Sequence, residues 1–134
     1  MVYLDACIVI YWVEEKPSQI ESLRQAFAAL GDEDIAYSPL VQLECLIYPY
    51  RTGNKELLAR YQQFFAHGIC LPLSENVFDK AAQLRAHYPN LKTPDALHLA
   101  CTQYHQCSSL WTNDDRLIGI SHHLAINIIN KYKS

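Results

Sequence analysis

The segment TPDALHLACTQYHQCSSLWTND, residues 93–114, contains the pattern on which the fold assignment depends. A proline in the first helical turn with an acidic residue beside it predicts a helix that begins at Thr93 and runs to about Gln106. The apolar residues 109–111 predict a strand, which the turn residues 112–114 end. A helix leading into a buried strand is the repeating unit of parallel α/β sheets.

The same alternation extends over the rest of the chain. Strands are predicted at residues 1–4, 35–37, 69–71, 109–111 and 126–129. Helices are predicted from Ile8, Ser18, Ser38-Pro39, Leu57, Ser74 and Thr93. With 134 residues and no repeat or linker, the chain is expected to form a single domain, residues 1–134, with a mostly parallel sheet covered on both faces.

Three local patterns give more detailed expectations. Ser18 and Glu21 have the spacing of a capping box at the start of a helix that Gly31 ends. In the next helix the inward-facing stripe is predicted to be Leu40, Leu43 and Ile47. The proline and glycine of residues 48–54 predict a break in the chain there.

Composition excludes several classes of protein. Half of the residues are hydrophobic and 19% are charged, which is typical of a globular domain. No apolar run approaches the roughly 20 residues that cross a bilayer, and the first residues lack the basic region of a signal peptide. A cytoplasmic protein without a membrane segment is therefore expected.

The five cysteines do not indicate a disulfide framework, because their number is odd and no Cys-x-x-Cys pair occurs. Most of them stand among apolar neighbours, as buried free thiols do. A zinc site could be assembled from His98, Cys101, His105 and Cys107, but this spacing does not match a common structural zinc site. We therefore interpret these four as core or surface residues.

Four acidic residues are candidates for one site: Asp5, Glu44, Asp95 and Asp114. Each has a simpler structural explanation, namely helix capping for Asp5 and Asp114, an exposed helix flank for Glu44, and helix-end stabilisation for Asp95. Together they fit one pocket, on the order of 10 Å across, at the carboxyl ends of the strands.

Four carboxylates in one pocket repel one another strongly unless a cation is bound. Hard oxygen ligands suit Mg²⁺ or Mn²⁺, which can activate water and orient a phosphodiester. The formal net charge is −3, and without these four acids the remainder would carry about +1. A weakly basic surface around an acidic pocket favours brief contact with RNA over coating of nucleic acid.

Four motifs resemble those of the PIN-domain family in order and spacing. They are YLDAC at 3–7, VQLE at 41–44, KTPDALHLA at 92–100 and LWTND at 110–114. The resemblance implies a three-layer α/β/α sandwich and an Mg²⁺- or Mn²⁺-dependent endoribonuclease. The compact size is similar to VapC-type toxins of toxin–antitoxin pairs, which implies an antitoxin protein as partner.

The resemblance also assigns roles to residues. Asp5, Glu44, Asp95 and Asp114 take the metal-binding and catalytic positions, and Thr112 matches a hydroxyl that helps to order the site. Two positions depart from the pattern. Cys7 stands where many relatives carry serine or asparagine, which predicts weaker support for Asp5. Asp115 directly follows Asp114, and we interpret it as a capping-box partner of Thr112.

Contacts with other molecules are expected in two places. Arg116, Lys92 and Arg51 are candidate contacts for RNA phosphates. A group of aromatic residues would form a patch for an antitoxin segment or a second copy of the chain, as in a homodimer, if several of them are exposed: Tyr48, Tyr50, Tyr61, Phe64 and Phe65.

Two other classes of protein were weighed against the nuclease. A catalytically inactive PIN-fold interaction module would keep the fold without the chemistry, and retention of all four acids argues against it. A phosphoacceptor domain also places an aspartate at a strand end, but it needs a neighbouring acidic pair and a lysine after a later strand. Residues 5–7 lack the pair, and no lysine follows Trp111 directly.

Overall fold

The computed structural model describes residues 1–133, and a parallel sheet lies at its centre. The strands are β1 (Val2–Leu4), β2 (Ile35–Tyr37), β3 (Ile69–Cys70), β4 (Ser109–Thr112) and β5 (Ala125–Asn127). Their order in the sheet is β3-β2-β1-β4-β5, and every neighbouring pair is parallel. The parallel α/β architecture expected from the sequence is confirmed.

Helices connect the strands. They are α1 (Ala6–Val13), α2 (Ile20–Leu30), α3 (Pro39–Thr52), α4 (Lys55–Ala66), α5 (Glu75–His87), α6 (Thr93–Tyr104), α7 (Arg116–Ile120) and α8 (Ile128–Lys131). Helices α1 to α4 pack against one another and α8 packs on α2, whereas α5 and α6 form a separate pair. Right-handed crossovers place these two groups on opposite faces of the sheet, because the chain reverses its direction across the sheet after β3.

The reversal point lies between β1 and β4. From β1 the chain winds outward through β2 and β3, and it then returns to the other side of β1 with β4 and β5. Leu4 pairs with Trp111, and the amide of Asp5 donates to the Trp111 carbonyl at 3.2 Å, so the two strands end side by side. In open parallel sheets such a reversal leaves a crevice at the carboxyl ends of the strands.

The central strands are buried on both faces. Tyr3, Leu4 and Leu110 have no exposed surface, and β4 is buried along its whole length. This explains why these strands are continuous apolar runs instead of alternating ones. Among residues 1–133 no helix has the length and apolar character needed to cross a membrane.

The predicted inward stripe of α3 is wrong. Leu43 is 59% exposed and Ile47 is 46% exposed, whereas Val41, Cys45 and Pro49 form the buried face. Both faces of this helix carry apolar residues, so its hydrophobic periodicity is weak and does not determine which face packs inward. An apolar stripe of α3 that includes Leu43 and Ile47 is therefore exposed on the protein surface.

The predicted break over residues 48–54 is confined to its last two residues, since α3 continues through Pro49 to Thr52. A proline inside a helix removes one backbone donor, and here the helix accommodates that loss with Pro49 buried in the core. The helix ends only at Gly53, which has a φ of 65° and donates its amide to the carbonyls of Pro49 and Tyr50. This left-handed conformation is the one that glycine adopts without steric cost.

Two further local expectations fail for similar reasons. The Ser18–Glu21 capping box does not form, because a backbone turn in which Gln19 and Ile20 donate to the Lys16 carbonyl leads into α2. Residues 126–129 are not one strand. After Asn127 the chain turns into α8, where the Asn127 side chain accepts from the Asn130 amide.

Candidate active site

A cavity of about 370 Å³ opens at the carboxyl ends of β1 and β4. The four predicted acids, Asp5, Glu44, Asp95 and Asp114, all line it. Each comes from a different part of the fold, because Asp5 follows β1, Asp114 follows β4, Glu44 lies on α3 and Asp95 on α6. The structure thus places the four carboxylates around one space, although they are up to 109 residues apart in the sequence.

Asp5 is the N-cap of α1. Its Oδ1 accepts from the amides of Cys7 at 3.1 Å and Ile8 at 3.4 Å. The Cys7 Sγ lies 2.7 Å from the same oxygen. Burial raises the pKa of the Cys7 thiol, so the thiol stays protonated and donates to Asp5. Cysteine therefore supplies the contact that was expected to be weaker at this position.

Asp114 is held by Arg116. The guanidinium contacts both carboxylate oxygens, with the shortest distance, 2.7 Å, between Nη2 and Oδ2. These hydrogen bonds hold the pKa of Asp114 below its usual range. The Thr112 hydroxyl accepts from the Asp114 amide at 3.1 Å and so fixes the turn that carries the acid.

Asp95 lies in the first turn of α6 and is the least compensated of the four acids. Its carboxylate makes no hydrogen bond or ion pair with any residue of the described range 1–133, and it is half-buried. Burial, and then the charge of Asp114, raise its pKa. Its position at a helix N-terminus acts in the opposite direction and favours the charged form.

Glu44 ends a chain of buried hydrogen bonds. Its Oε1 lies 2.7 Å from His98 Nε2, and His98 Nδ1 lies 2.7 Å from the Tyr3 hydroxyl. The Tyr3 hydroxyl is also 2.7 Å from Ser38 Oγ. A carboxylate can only accept, so His98 Nε2 donates to Glu44. When the imidazole is neutral, each group donates to the next one. Ser38 Oγ donates to the Tyr3 hydroxyl, the Tyr3 hydroxyl to His98 Nδ1, and His98 Nε2 to Glu44.

This chain, Ser38–Tyr3–His98–Glu44, ties together the elements that carry the site. Tyr3 belongs to β1, His98 to α6 and Glu44 to α3, and the first two are almost fully buried. Burial raises the pKa of Tyr3 far above its usual value, so its hydroxyl remains a donor. The contacts fix the orientation of the Glu44 carboxylate relative to Asp5 and Asp95.

The sequence indicates a core or surface position for His98 but does not connect it to Glu44 or Tyr3. The available signal was a polar ring three residues after Asp95, in a segment that is otherwise apolar. Such a ring needs partners when it is buried. Its partners come from distant segments, which the sequence alone does not identify.

The donor set fits a divalent cation, but the side chains are not turned toward one. Carboxylate oxygens are the ligands that Mg²⁺ and Mn²⁺ prefer. Within residues 1–133 no three His, Cys, Asp or Glu side chains converge as the ligands of one ion. Asp5, Glu44 and Asp114 point to protein partners instead, and only Asp95 lacks one. A cation bound by Asp114 would compete with Arg116 for its carboxylate oxygens.

The remaining candidate residues separate into two groups. Lys92 and Arg116 line a second cavity that shares Asp95 and Asp114 with the first. Arg51 lies in the last turn of α3, away from both cavities.

Asp115 does not form the expected capping box with Thr112, because its carboxylate accepts from the Asn127 side chain at 2.8 Å. Asp115 lines neither cavity.

The residues considered for zinc have other partners. His98 belongs to the chain that ends at Glu44, and His105 Nε2 lies 2.9 Å from the Pro72 carbonyl. Cys101 and Cys107 are buried.

The predicted aromatic patch is divided, since Tyr61 and Phe65 are in the core, Phe64 is half-buried, and Tyr48 and Tyr50 are exposed.

The largest cavity is not the acidic one. A groove of about 630 Å³ lies near the amino ends of β2 and β3, between α2 and α4. Its walls include Trp12, Phe64, Arg24 and Arg60, and it contains none of the four acids. Size alone therefore does not mark the site, and the convergence of charged groups at the strand ends is the stronger indicator.

The fold and cavity define a class of protein, namely a parallel α/β protein with a carboxylate-lined pocket at the reversal point of its sheet. The model of the PIN domain family matches residues 2–122. The chain therefore belongs to the PIN-domain family. Curated proteins give no match to its sequence.

Solved structures support the fold. A toxin–antitoxin complex from Klebsiella pneumoniae contains a chain with a TM-score of 0.76 and 20% identity, and the match covers 96% of this chain and 98% of that one. VapBC2 from Rickettsia felis, bound to a DNA fragment from its promoter, gives 0.76 and 19%, covering 94% and 98%. FitAcB from Neisseria gonorrhoeae gives 0.66 and 17%, covering 96% and 98%.

The raised pKa of Asp95 predicts that its charge destabilises the metal-free fold. A carboxylate with a raised folded-state pKa weakens folding above that pKa, and the effect disappears once pH falls below the unfolded value. In chelator at neutral pH, Asp95→Asn should therefore be more stable than wild type, by less than about 1 kcal/mol because solvent screens the partly exposed group. Thermal melts between pH 7 and pH 3 should show the difference shrinking toward zero.

The control is Asp32→Asn, at an exposed position in the turn after α2. Its stability should stay within about 0.5 kcal/mol of wild type at every pH. An Asp95→Asn protein that is less stable than wild type in chelator would show that Asp95 mainly stabilises the helix end.

Proposed function

We propose that this chain is a divalent-metal-dependent endoribonuclease and the toxin of a toxin–antitoxin pair. The observation that carries the proposal is that four carboxylates from four separate segments line one pocket in a member of the PIN-domain family. Like charges in one small space are costly, and a bound cation is the simplest group that would offset them. PIN domains are generally nucleases, and the compared solved structures include toxin–antitoxin complexes.

In this proposal Asp5, Glu44, Asp95 and Asp114 hold Mg²⁺ or Mn²⁺ and form the catalytic centre. When bound, the metal would lower the pKa of a water molecule and neutralise charge on the phosphate. The protein's own contribution is orientation. Asp5 is fixed by the amides at the start of α1, and Glu44 is fixed by His98.

Arg116 has two roles in the proposal. In the metal-free protein it compensates Asp114, and its side chain is 69% exposed. Solvent screens an ion pair whose guanidinium is this exposed, so a divalent cation can compete with Arg116 for the Asp114 oxygens. The freed Arg116, together with Lys92 at the mouth of the neighbouring cavity, would then contact RNA phosphates. Arg51 would contact the RNA farther from the cleaved bond.

RNA cleavage is tested with single-stranded RNA and purified protein in Mg²⁺ or in chelator. Wild type should cut in Mg²⁺ only, whereas Asp5→Asn and Asp95→Asn should lose at least about 100-fold in rate, since each removes a charge that would hold the metal. Asp32→Asn should cut like wild type. Wild-type protein that never cuts any RNA, with or without Mg²⁺, would favour the catalytically inactive interaction module.

The hydrogen-bond chain from Tyr3 to Glu44 predicts a second effect on metal binding. Partners that orient a ligating carboxylate typically contribute 10- to 100-fold in metal affinity. Tyr3→Phe removes the hydroxyl that orients His98, so Mn²⁺ affinity measured by calorimetric titration should fall about 10-fold.

The matched control is Tyr37→Phe in β2. It also removes a buried hydroxyl, one that donates to the Phe65 carbonyl at 2.5 Å and is not part of the Ser38–Tyr3–His98–Glu44 chain. Both variants should lose about 1–3 kcal/mol of stability, but only Tyr3→Phe should lose Mn²⁺ affinity. Equal affinities in the two variants would contradict a positioning role for the chain.

The partners follow from the same proposal. We propose an antitoxin protein as the regulator and a homodimer as the assembly, acting in the reducing cytoplasm, where five free cysteines are stable. The homodimer would use the apolar stripe of α3, formed by Leu43, Ile47 and Tyr50. These residues are spaced by four and three positions, so they lie on one face of the helix and can pair with the same face of a second copy.

The α3 stripe predicts the oligomeric state. The double variant Leu43→Asp/Ile47→Asp places charges in the proposed interface, and it should sediment as a monomer at a concentration where wild type is a dimer. The control Tyr104→Asp changes an exposed apolar side chain on α6 and should remain dimeric. A monomeric wild type would contradict the homodimer.

A further inference from the structure

A second cavity adjoins the acidic pocket. It has a volume of about 290 Å³ and shares Asp95 and Asp114 with that pocket. It lies between the α5–α6 loop, residues 88–92, and α7. A ligand in this cavity would therefore sit directly beside two of the four acids.

The walls of this cavity are apolar and aromatic. Leu91 and Leu117 are buried, and Ile120 and Tyr88, which also line the cavity, are half-buried. The ring of His87 meets that of Tyr88 edge-on, with 4.6 Å between the centroids and an interplanar angle of 87°. Because His87 and Tyr88 both line the cavity, one of its walls carries two aromatic residues.

The mouth of the cavity carries positive charge next to the acids. Lys92 and Arg116 both line it, and both lower the pKa of Asp114 through their charge. An apolar slot with cations at its mouth suits a ligand that is flat and uncharged at one end and anionic at the other. A nucleotide has this character, with a base that stacks and a phosphate that pairs with Lys or Arg.

The loop that forms the cavity is braced in place. Arg85 Nε donates to the Leu91 carbonyl at 2.8 Å, and its Nη1 donates to the Thr93 hydroxyl at 3.0 Å. Within the loop the Leu91 amide donates to the Tyr88 carbonyl at 2.9 Å. The cavity is thus formed before any ligand arrives, which reduces the entropy lost on binding.

We propose that this cavity is a nucleobase subsite, in which Tyr88 stacks on the base of a nucleotide next to the cleaved phosphate of single-stranded RNA. This inference rests on the proposed nuclease function and adds the substrate form to it. A base enters the cavity only when it is unpaired, so double-stranded RNA is excluded. The subsite also gives Lys92 and Arg116 a defined phosphate, the one that joins the stacked nucleotide to its neighbour.

The test measures binding separately from cleavage. Fluorescence anisotropy with labelled 12-nucleotide oligoadenylate and oligouridylate would be recorded in Mg²⁺, in an Asp5→Asn background that keeps the RNA intact. Loss of one base–aromatic stack weakens binding about 5- to 150-fold, so Tyr88→Ala should show a loss in this range for at least one of the two RNAs. Tyr88→Phe keeps the ring and should bind within about twofold of the parent.

The chain offers a matched control in Tyr104 and His105. These rings also meet edge-on, at 5.1 Å and 86°, but Tyr104 is nine residues farther along α6 than Asp95. That distance is about 14 Å along the helix axis. Tyr104→Ala should leave RNA affinity unchanged. A duplex of the two oligonucleotides should bind more weakly than either strand and should not respond to Tyr88→Ala.

Tyr88 also packs against the core, so Tyr88→Leu accompanies Tyr88→Ala and retains an apolar side chain if the alanine variant fails to fold. The subsite is overturned if Tyr88→Leu and Tyr88→Ala bind both RNAs as the parent does, or if Tyr88→Phe loses as much affinity as Tyr88→Ala. Cleavage by the otherwise wild-type protein is scored separately. If the protein cleaves RNA but the Tyr88 variants bind RNA as the parent does, only the subsite is rejected. If binding depends on Tyr88 but the protein never cleaves RNA, only the nuclease function is rejected.

Discussion

Repulsion among four carboxylates in one small pocket is the constraint on which the rest of the site depends. Asp5, Glu44 and Asp114 each face a donor, namely the start of α1, His98 and Arg116. Asp95 has no such donor, and its pKa is raised. The charge is thus only partly compensated by the protein. This incomplete compensation is typical of sites that exchange a protein partner for a ligand.

The sheet explains why the acids meet at all. Its order, β3-β2-β1-β4-β5, places the reversal of the chain between β1 and β4, and Asp5 and Asp114 follow those two strands. The sequence predicts a mostly parallel sheet with the acids at the carboxyl ends of its strands, but it does not predict the strand order. Residues 1–4 before Asp5 and 109–111 before Asp114 are predicted strands, and strands that alternate with helices favour a parallel sheet.

The sequence was not sufficient where two packings are similar in energy or where contacts are long-range. Helix α3 has apolar residues on both faces, so Leu43 and Ile47 were assigned to the core although they are exposed. Ser18 and Glu21 have capping-box spacing, but a backbone turn at Lys16 takes its place. The contacts of Tyr3 with Ser38 and with His98 join residues 35 and 95 positions apart, and no local pattern reveals them.

The central claim is that the four acids hold a divalent cation, and diffraction from crystals grown with Mn²⁺ tests it most directly. The account predicts an anomalous peak inside the pocket, within about 2.0–2.6 Å of oxygens from Asp95 and at least one other of the four acids. It also predicts that Arg116 has moved away from Asp114. A pocket without a peak at millimolar Mn²⁺, with Asp114 still bound to Arg116, would contradict the account.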